Sequence, residues 1–420
     1  MSSKKKPTVT LCMIVKNETH VIERCLRSMA SVVDRYDITD TGSTDGTPEK
    51  IKEIMDELGI EGEVYLSDWK GFGDHLDQEG SRTEALKRCD GKADYAWMID
   101  ADDSLEGNFK YPTNMDKDVY SLRIHRGDFT WWRNQIFKTG IGWKYVGVLH
   151  EYAACDKEGL RGDRIESPYH VEARTEGARN VDIEPVEKYS RDAEVLEKAL
   201  EEDPTNHRYM FYVAQSYFDS QQYDKALVAY QKRAEEGGWE EEAFYSFYRM
   251  AICMSILEHP IQDQIFAYLK AYDYRPIRAE PLVQAARILR MNGMPRMAYV
   301  YAKQACSLPY PKTDILFLAD EVYSWMGLDE LGATAFYAHD FETGLYACNK
   351  LLEGGRFPQE HRDRILENKK QYEMRLAQIN GQTAEQEAEI EKQKLIQEQE
   401  RKKRIKNRQN LKNKRKKVKK

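Results

Sequence analysis

Met98-Ile99-Asp100-Ala101-Asp102-Asp103 is an apolar strand end that runs straight into three carboxylates. Negative charge packed this tightly needs a counter-charge, and a divalent cation supplies it in the least space. Asp100 and Asp102 are two residues apart. Across a strand end they are expected to point to one side, where a hard ion and phosphate oxygens fit. An acidic turn alone is an ordinary surface feature. Its meaning depends on what the other strands bring to the same edge.

Several segments bring something. Val9 to Val15 (VTLCMIV) is a short apolar run suited to a buried strand, followed by polar Lys16-Asn17-Glu18. Apolar Val21, Ile22, Cys25, Leu26 and Met29 then recur at helical spacing. Asp40-Thr41-Gly42-Ser43-Thr44-Asp45-Gly46-Thr47-Pro48 is dense in turn formers, with Thr47 placed to cap a helix and Pro48 in its first turn. Glu63–Leu66 reads as a third strand and Tyr95–Ile99 as a fourth. Alternating strands and helices imply an α/β domain: a mostly parallel sheet with helices on both faces. Ligands of such sheets bind beyond the carboxyl ends of the strands. Lys16, Asn17, Asp40 and Asp100 all follow strands, so they share that edge.

In these pieces the chain resembles the inverting family 2 glycosyltransferases, which have the GT-A fold. The matching stretches are CMIVKNE after the first strand, DTGSTDGT after the second, Arg82 ahead of the fourth, and DADD at its end. They span residues 8–105, and a looser likeness runs on through Tyr145–Glu151 and Ser167–His170. One departure is the second strand, Tyr36-Asp37-Ile38-Thr39-Asp40, which is more polar than the usual aliphatic run. The resemblance implies a nucleotide-sugar donor, expected to be UDP-linked, with Mn²⁺ or Mg²⁺ as cofactor. It implies that Asp102 holds the ion, that Asp100 faces ribose and ion, and that Asp40 meets the base. Arg82 suits phosphate oxygens through its planar guanidinium, while Lys16 and Asn17 stand on the donor edge.

An inverting transfer needs a base on the face opposite the leaving group, within hydrogen-bond reach of the acceptor hydroxyl. Glu151 is the first candidate and His150 the second. Neighbouring side chains in an extended chain point to opposite sides, so only one of the two is expected to face the site. His170 is a candidate third metal ligand. Trp131-Trp132-Arg133 is a candidate lining for the sugar or acceptor pocket, and Trp69–Asp74 has glycines suited to a loop near the donor.

From about residue 180 the pattern is helical. Ala214, Tyr217, Ala226 and Tyr230 match the small–aromatic spacing of a tetratricopeptide repeat, and Ala286, Leu289, Ala298 and Ala305 repeat it without the aromatics. The aromatic-rich middle, Phe244 to Ala271, is expected to be core. Such helix pairs stack into a solenoid, so this half is expected to bind the acceptor or to mediate homodimerisation. Residues 401–420 contain 13 Lys and Arg and no acids, against a net charge of −7 for the whole chain. The preceding Gln/Glu/Lys-rich stretch reads as an exposed helix fading into disorder.

The expected organisation is a disordered start (1–7), a GT-A domain (8–178), a repeat domain (179–375) and a charged helix with a basic tail (376–420). The sequence has no apolar run of transmembrane length and no signal-peptide core. Its seven cysteines form no Cys-x-x-Cys pair. A cytoplasmic setting is therefore expected. The acceptor stays open among protein, glycan, lipid-linked saccharide and nucleic acid. Two rival readings are the same fold acting on nucleic acid, resting on the basic tail, and a repeat scaffold with a degenerate transferase domain.

Overall fold

The computed structural model describes residues 7–72, 79–127, 129–178 and 184–417, with side chains left undescribed at 383–384 and 404–417. The expected disordered residues 1–6, together with Gly73 and Asp74 of the proposed donor loop, lie outside this range. The chain begins β1 (Val9–Val15), α1 (Ile22–Met29), β2 (Arg35–Asp40), α2 (Thr47–Glu57), β3 (Gly62–Leu66), α3 (Ser81–Arg88) and β4 (Tyr95–Met98). It continues through β5 (Ser104–Gly107), β6 (Val119–Arg126), β7 (Phe129–Lys138), β8 (Trp143–Val146), β9 (Tyr152–Cys155), β10 (Gly162–Arg164) and β11 (Tyr169–Glu172).

The main sheet runs β3-β2-β1-β4-β7-β6-β11-β5. Its first four strands are parallel. From β4 onward it is mixed, with β7 antiparallel to both β4 and β6 and β11 antiparallel to β5. Alternation along the strands sorts the core into two layers. Val9, Leu11, Met13 and Trp97 pack on one face with Ile22, Leu26, Ile51 and Met55 of α1 and α2. Cys12, Ala96 and Met98 pack on the other with Ala85, Leu86 and Cys89 of α3. Thr47 is the first residue of α2, and Gly46, in the left-handed region, caps it. Thr47 is used otherwise: its hydroxyl accepts from the Glu18 amide and donates to Asp45.

The polarity of the second strand has a structural cause. Asp37 is buried and accepts hydrogen bonds from Thr10, Arg35, Tyr65 and Lys92, at 2.8 to 3.1 Å. Burial raises its carboxyl, but Arg35, Lys92 and Thr10 outweigh this and hold it below the usual aspartate range.

The helices that follow are α4 (Pro185–Glu202), α5 (His207–Asp219), α6 (Tyr223–Glu235), α7 (Glu240–Ile256), α8 (Ile261–Tyr274), α9 (Glu280–Met291) and α10 (Pro295–Ser307). After them come a two-residue strand β12 (Leu318–Ala319), α11 (Gly327–Thr334), α12 (Phe341–Gly354) and α13 (Arg362–Lys417). Ala214, Tyr217, Ala226 and Tyr230 lie in one core with Ala193 and Leu196 of α4. Phe244, Tyr245, Tyr248 and Tyr268 are buried as well.

Of the described residues, those up to Ala285 together with Leu308–Tyr323 form one compact unit, and 286–307 with 324 onward form a second. The first unit runs past the expected boundary at 178 because two sets of contacts join helices to sheet. α5 holds the loop after β8. The returning segment pairs β12 with β7 and is clamped by buried Arg278, bonded to Asp314 and the Leu316 carbonyl, and by Glu241, accepting from Ile315 and Leu316 at 2.7 Å. In the second unit, Ala335, Leu351, Phe357, Ile365 and Tyr372 form the core of α11, α12 and the start of α13. The helix α13 continues to Lys417, so the basic segment is helical as far as it is described.

Replacing Asp37 by Ala removes the shared acceptor of Arg35 and Lys92, and unfolding in urea should show a loss of about 2–4 kcal/mol. Because the folded carboxyl titrates below the unfolded value of 3.8, its contribution is present above that pH and disappears as pH falls through the lower folded value. The Ala variant should therefore lose less stability than wild type on acidification.

Candidate active site at the carboxyl edge of the sheet

The loop after β1 and the turn after β2 are fastened to each other. Asn17, at φ 59°, donates its amide to Ser43 Oγ at 2.8 Å and accepts from the Thr44 amide at 2.8 Å. Lys16 is exposed on the same edge. Asp40 is buried; its Oδ1 accepts from the Gly42 and Ser43 amides at 3.0 and 2.9 Å. Its Oδ2 is buried with no hydrogen-bond partner among the described residues. One oxygen thus shapes the turn, and the other is unpartnered among the described residues.

Arg82, on α3, joins the ends of two distant segments. It donates to Asp100 Oδ1 at 2.5 Å and to Glu151 Oε2 at 3.1 Å, with the Tyr145 ring 6.0 Å from its guanidinium. Arg133, on β7, reaches Asp100 Oδ2 at 3.4 Å and Asp103 Oδ2 at 3.3 Å. Burial opposes the charge on Arg82, but Asp100 and Glu151 more than restore it, so its proton is held tighter than usual. Burial likewise raises the Asp100 carboxyl, and Arg82 and Arg133 pull it below the normal range. Asp103 goes the other way: burial and the Asp100 charge raise it more than Arg133 lowers it.

Asp102 is held differently. Its carboxylate accepts from the Gly177 amide at 3.0 Å, and the next amide, Ala178, donates to both oxygens of Glu18 at 3.2 Å. Arg24 bonds the Asp102 carbonyl and Glu176, not the carboxylate. No Lys or Arg side chain hydrogen-bonds Asp102 or Glu18 carboxylate oxygens among the described residues. Burial, with Asp100 adding to it, raises Asp102 above the usual aspartate range. Burial, reinforced by Asp102, lifts Glu18 to about 7. Among the described residues no basic side chain bonds these two carboxylates, and their oxygen donors are of the type that suits a hard divalent ion.

Asp100 and Asp102 therefore take different partners: arginines for the first, a main-chain amide for the second. Glu151 faces the site through Arg82. His150 does not: at φ 51° it turns its ring onto Tyr212 of α5, stacked at 3.9 Å and 8°, and its carbonyl accepts from Arg208 at 2.8 and 3.2 Å. The Val148 amide donates to Tyr209 of the same helix at 3.3 Å. His170 is also placed otherwise than expected. Tyr169 and Val171 point into the core, so alternation sends His170 to the outer face, beside Glu172 and His125 and not with Asp102. Trp131 packs against the sheet core and Phe317, while Trp132 lies under Arg123 and Arg164. Of that triplet only Arg133 reaches the acidic cluster.

The sequence reading did not single out Glu18, Asp103 or the strap Glu176–Ala178. The KNE motif offered a signal for Glu18; the strap acts through backbone amides, which no side-chain pattern reveals.

Residues 10–113 match the model of Glycosyl transferase family 2. A TPR repeat-containing protein of Synechococcus elongatus is 35% identical over 97 residues, which are 23% of this chain and 21% of that protein. The chain thus spans about a fifth of the length of this curated relative. Among solved structures, MamA aligns with 40% of this chain and 89% of its own at 15% identity and TM-score 0.32. YrrB, described as a TPR protein with an unusual peptide-binding site, aligns with 44% and 85% at 18% identity and TM-score 0.31. The chain carries a glycosyl transferase family 2 segment followed by helices that resemble tetratricopeptide repeats.

Glu18 makes the site sensitive to pH. Its folded value of about 7 stands above the ordinary 4.5, so the stability linked to its proton is present below 4.5 and is lost as pH rises towards 7. Melting temperature measured across that window should fall for wild type relative to Glu18→Gln. Parallel curves would show that Glu18 titrates normally.

Proposed function

We propose that the chain is an inverting glycosyltransferase that moves a sugar from a nucleotide-sugar donor, UDP-linked, to an acceptor hydroxyl with the help of a divalent cation. The observation that carries this reading is the pair of buried Asp102 and half-buried Glu18: two carboxylates at the carboxyl edge of a parallel sheet, with no basic side chain hydrogen-bonded to either among the described residues. Asp102 and Glu18 would hold Mn²⁺ or Mg²⁺, which when bound supplies Lewis acidity towards diphosphate oxygens. Asp40, with one oxygen unpartnered, accepts from the nucleotide base. Arg82 keeps Asp100 ionised and fixes Glu151 against it. Glu151, the base, takes the proton of the acceptor hydroxyl as that oxygen attacks from the face opposite the leaving group. The helical repeats are assigned to acceptor binding or to pairing of two copies. Among the described residues no helix is long and apolar enough to cross a membrane.

UDP should raise the melting temperature of the wild-type protein, and more so with Mn²⁺. Asp102→Asn should remove the Mn²⁺-dependent increment while leaving far-UV circular dichroism unchanged. Absence of any UDP shift in wild type, together with no hydrolysis of any donor in a nucleotide-sugar panel followed by mass spectrometry, would overturn the proposal.

Glu151→Gln should retain the UDP shift and lose transfer or donor hydrolysis by roughly 10²–10⁴-fold. Turnover near the wild-type rate would take the base role away from Glu151.

A further inference from the structure

On the outer face of the sheet, three metal-ligating side chains converge that the proposed reaction does not use. His125 is on β6, and His170 and Glu172 are on β11. Glu172 lies directly beside His125 in the parallel β6–β11 pair. His170 is two residues earlier and so shares that face. His125 Nδ1 is 2.9 Å from Glu172 Oε2, and His170 Nε2 is 3.3 Å from the same oxygen. All three ligand atoms lie within 4.8 Å of one another.

We infer that His125, His170 and Glu172 form a binding site for a zinc-like transition-metal ion, separate from the acidic cluster at the strand ends. Three arguments carry it. The first is spacing: a tetrahedral ion with bonds near 2.0–2.1 Å keeps its ligand atoms about 3.3 Å apart. Two of the three edges already lie near that length, and a small ring rotation closes the third.

The second is charge. No Lys or Arg bonds the Glu172 carboxylate among the described residues. The guanidinium of Arg174, two residues on, goes instead to Ser104, Glu106 and the Glu172 carbonyl. A half-buried carboxylate between two imidazoles is balanced only by a proton or by a metal ion. The third is ligand chemistry. Two imidazoles and one carboxylate suit Zn²⁺, with a water as fourth ligand, and are a poor set for Mg²⁺ or Ca²⁺, which take six or more oxygens. The ligands also stand on paired strands, so the site is held by the sheet and not by a mobile loop.

This site does not rest on the proposed transferase activity, and neither does its test. Full-length protein, freed of metal by a chelator, is titrated with Co²⁺ and read by its visible ligand-field absorption, then with Zn²⁺ in competition. Wild type should take up one Co²⁺ that gives the strong bands of a tetrahedral ion, set apart from any weakly absorbing ion at Asp102 and Glu18, and release it to Zn²⁺. His125→Ala and Glu172→Gln should each weaken binding by roughly tenfold or more, whereas Asp102→Asn should not change it. X-ray absorption of the zinc-loaded wild-type protein needs no variant and should show two imidazoles around the ion. The inference is overturned by an absent tetrahedral spectrum, by His125→Ala titrating like wild type, by loss of binding in Asp102→Asn, or by an all-oxygen shell.

Discussion

The guanidinium of Arg82 is the point on which the site is built. A half-buried arginine is best held where carboxylates surround it, and here two of them, Asp100 and Glu151, come from segments some fifty residues apart in sequence. One belongs to the strand end that opens the acidic cluster, the other to the loop after β8. By satisfying both, Arg82 converts a crowded run of acids into an ordered gradient. Asp100 is held ionised by two arginines; Asp103 is pushed the other way by burial and by the charge that Asp100 keeps; Asp102 and Glu18, with no basic side chain bonded to either carboxylate among the described residues, are raised by burial and by their acidic neighbours. These acids, at the carboxyl edge of four parallel strands, are the feature on which the proposed cation site rests.

Much of this edge was legible in the sequence, and the reasons are local. Val9–Val15 reads as a strand because an apolar run ends abruptly in Lys16-Asn17-Glu18. The turn at Asp40 reads as a turn because its residues bond their own backbone, as Asp40 Oδ1 does to Gly42 and Ser43. The small and aromatic positions Ala214, Tyr217, Ala226 and Tyr230 read as repeat core because burial at helical spacing is a short-range pattern. The chain's seven cysteines, scattered in sequence, are all free in the structure.

What was not legible depends on partners supplied from far away. The polarity of the second strand looked anomalous because Thr10, Tyr65 and Lys92, which hydrogen-bond Asp37, are spread over several elements. His170 seemed a companion of Asp102 since both are ligands by type, but strand alternation and the β6–β11 register deliver it to His125 and Glu172. Between His150 and Glu151 the sequence offered only the rule that one of them faces inward. The left-handed backbone at His150, together with its stacking on Tyr212, decides which. The strap at Gly177 and Ala178 could not be read at all, since its contribution is two main-chain amides.

The hold of α5 on the loop after β8 has an architectural consequence. Arg208 pins the His150 carbonyl, Tyr212 clasps the imidazole and Tyr209 takes the Val148 amide, so the backbone that presents Glu151 is set by a helix of the repeat type. Exchanging the helices for those of a relative, or trimming the chain after the last sheet strand, would remove the contacts that set the backbone around Glu151.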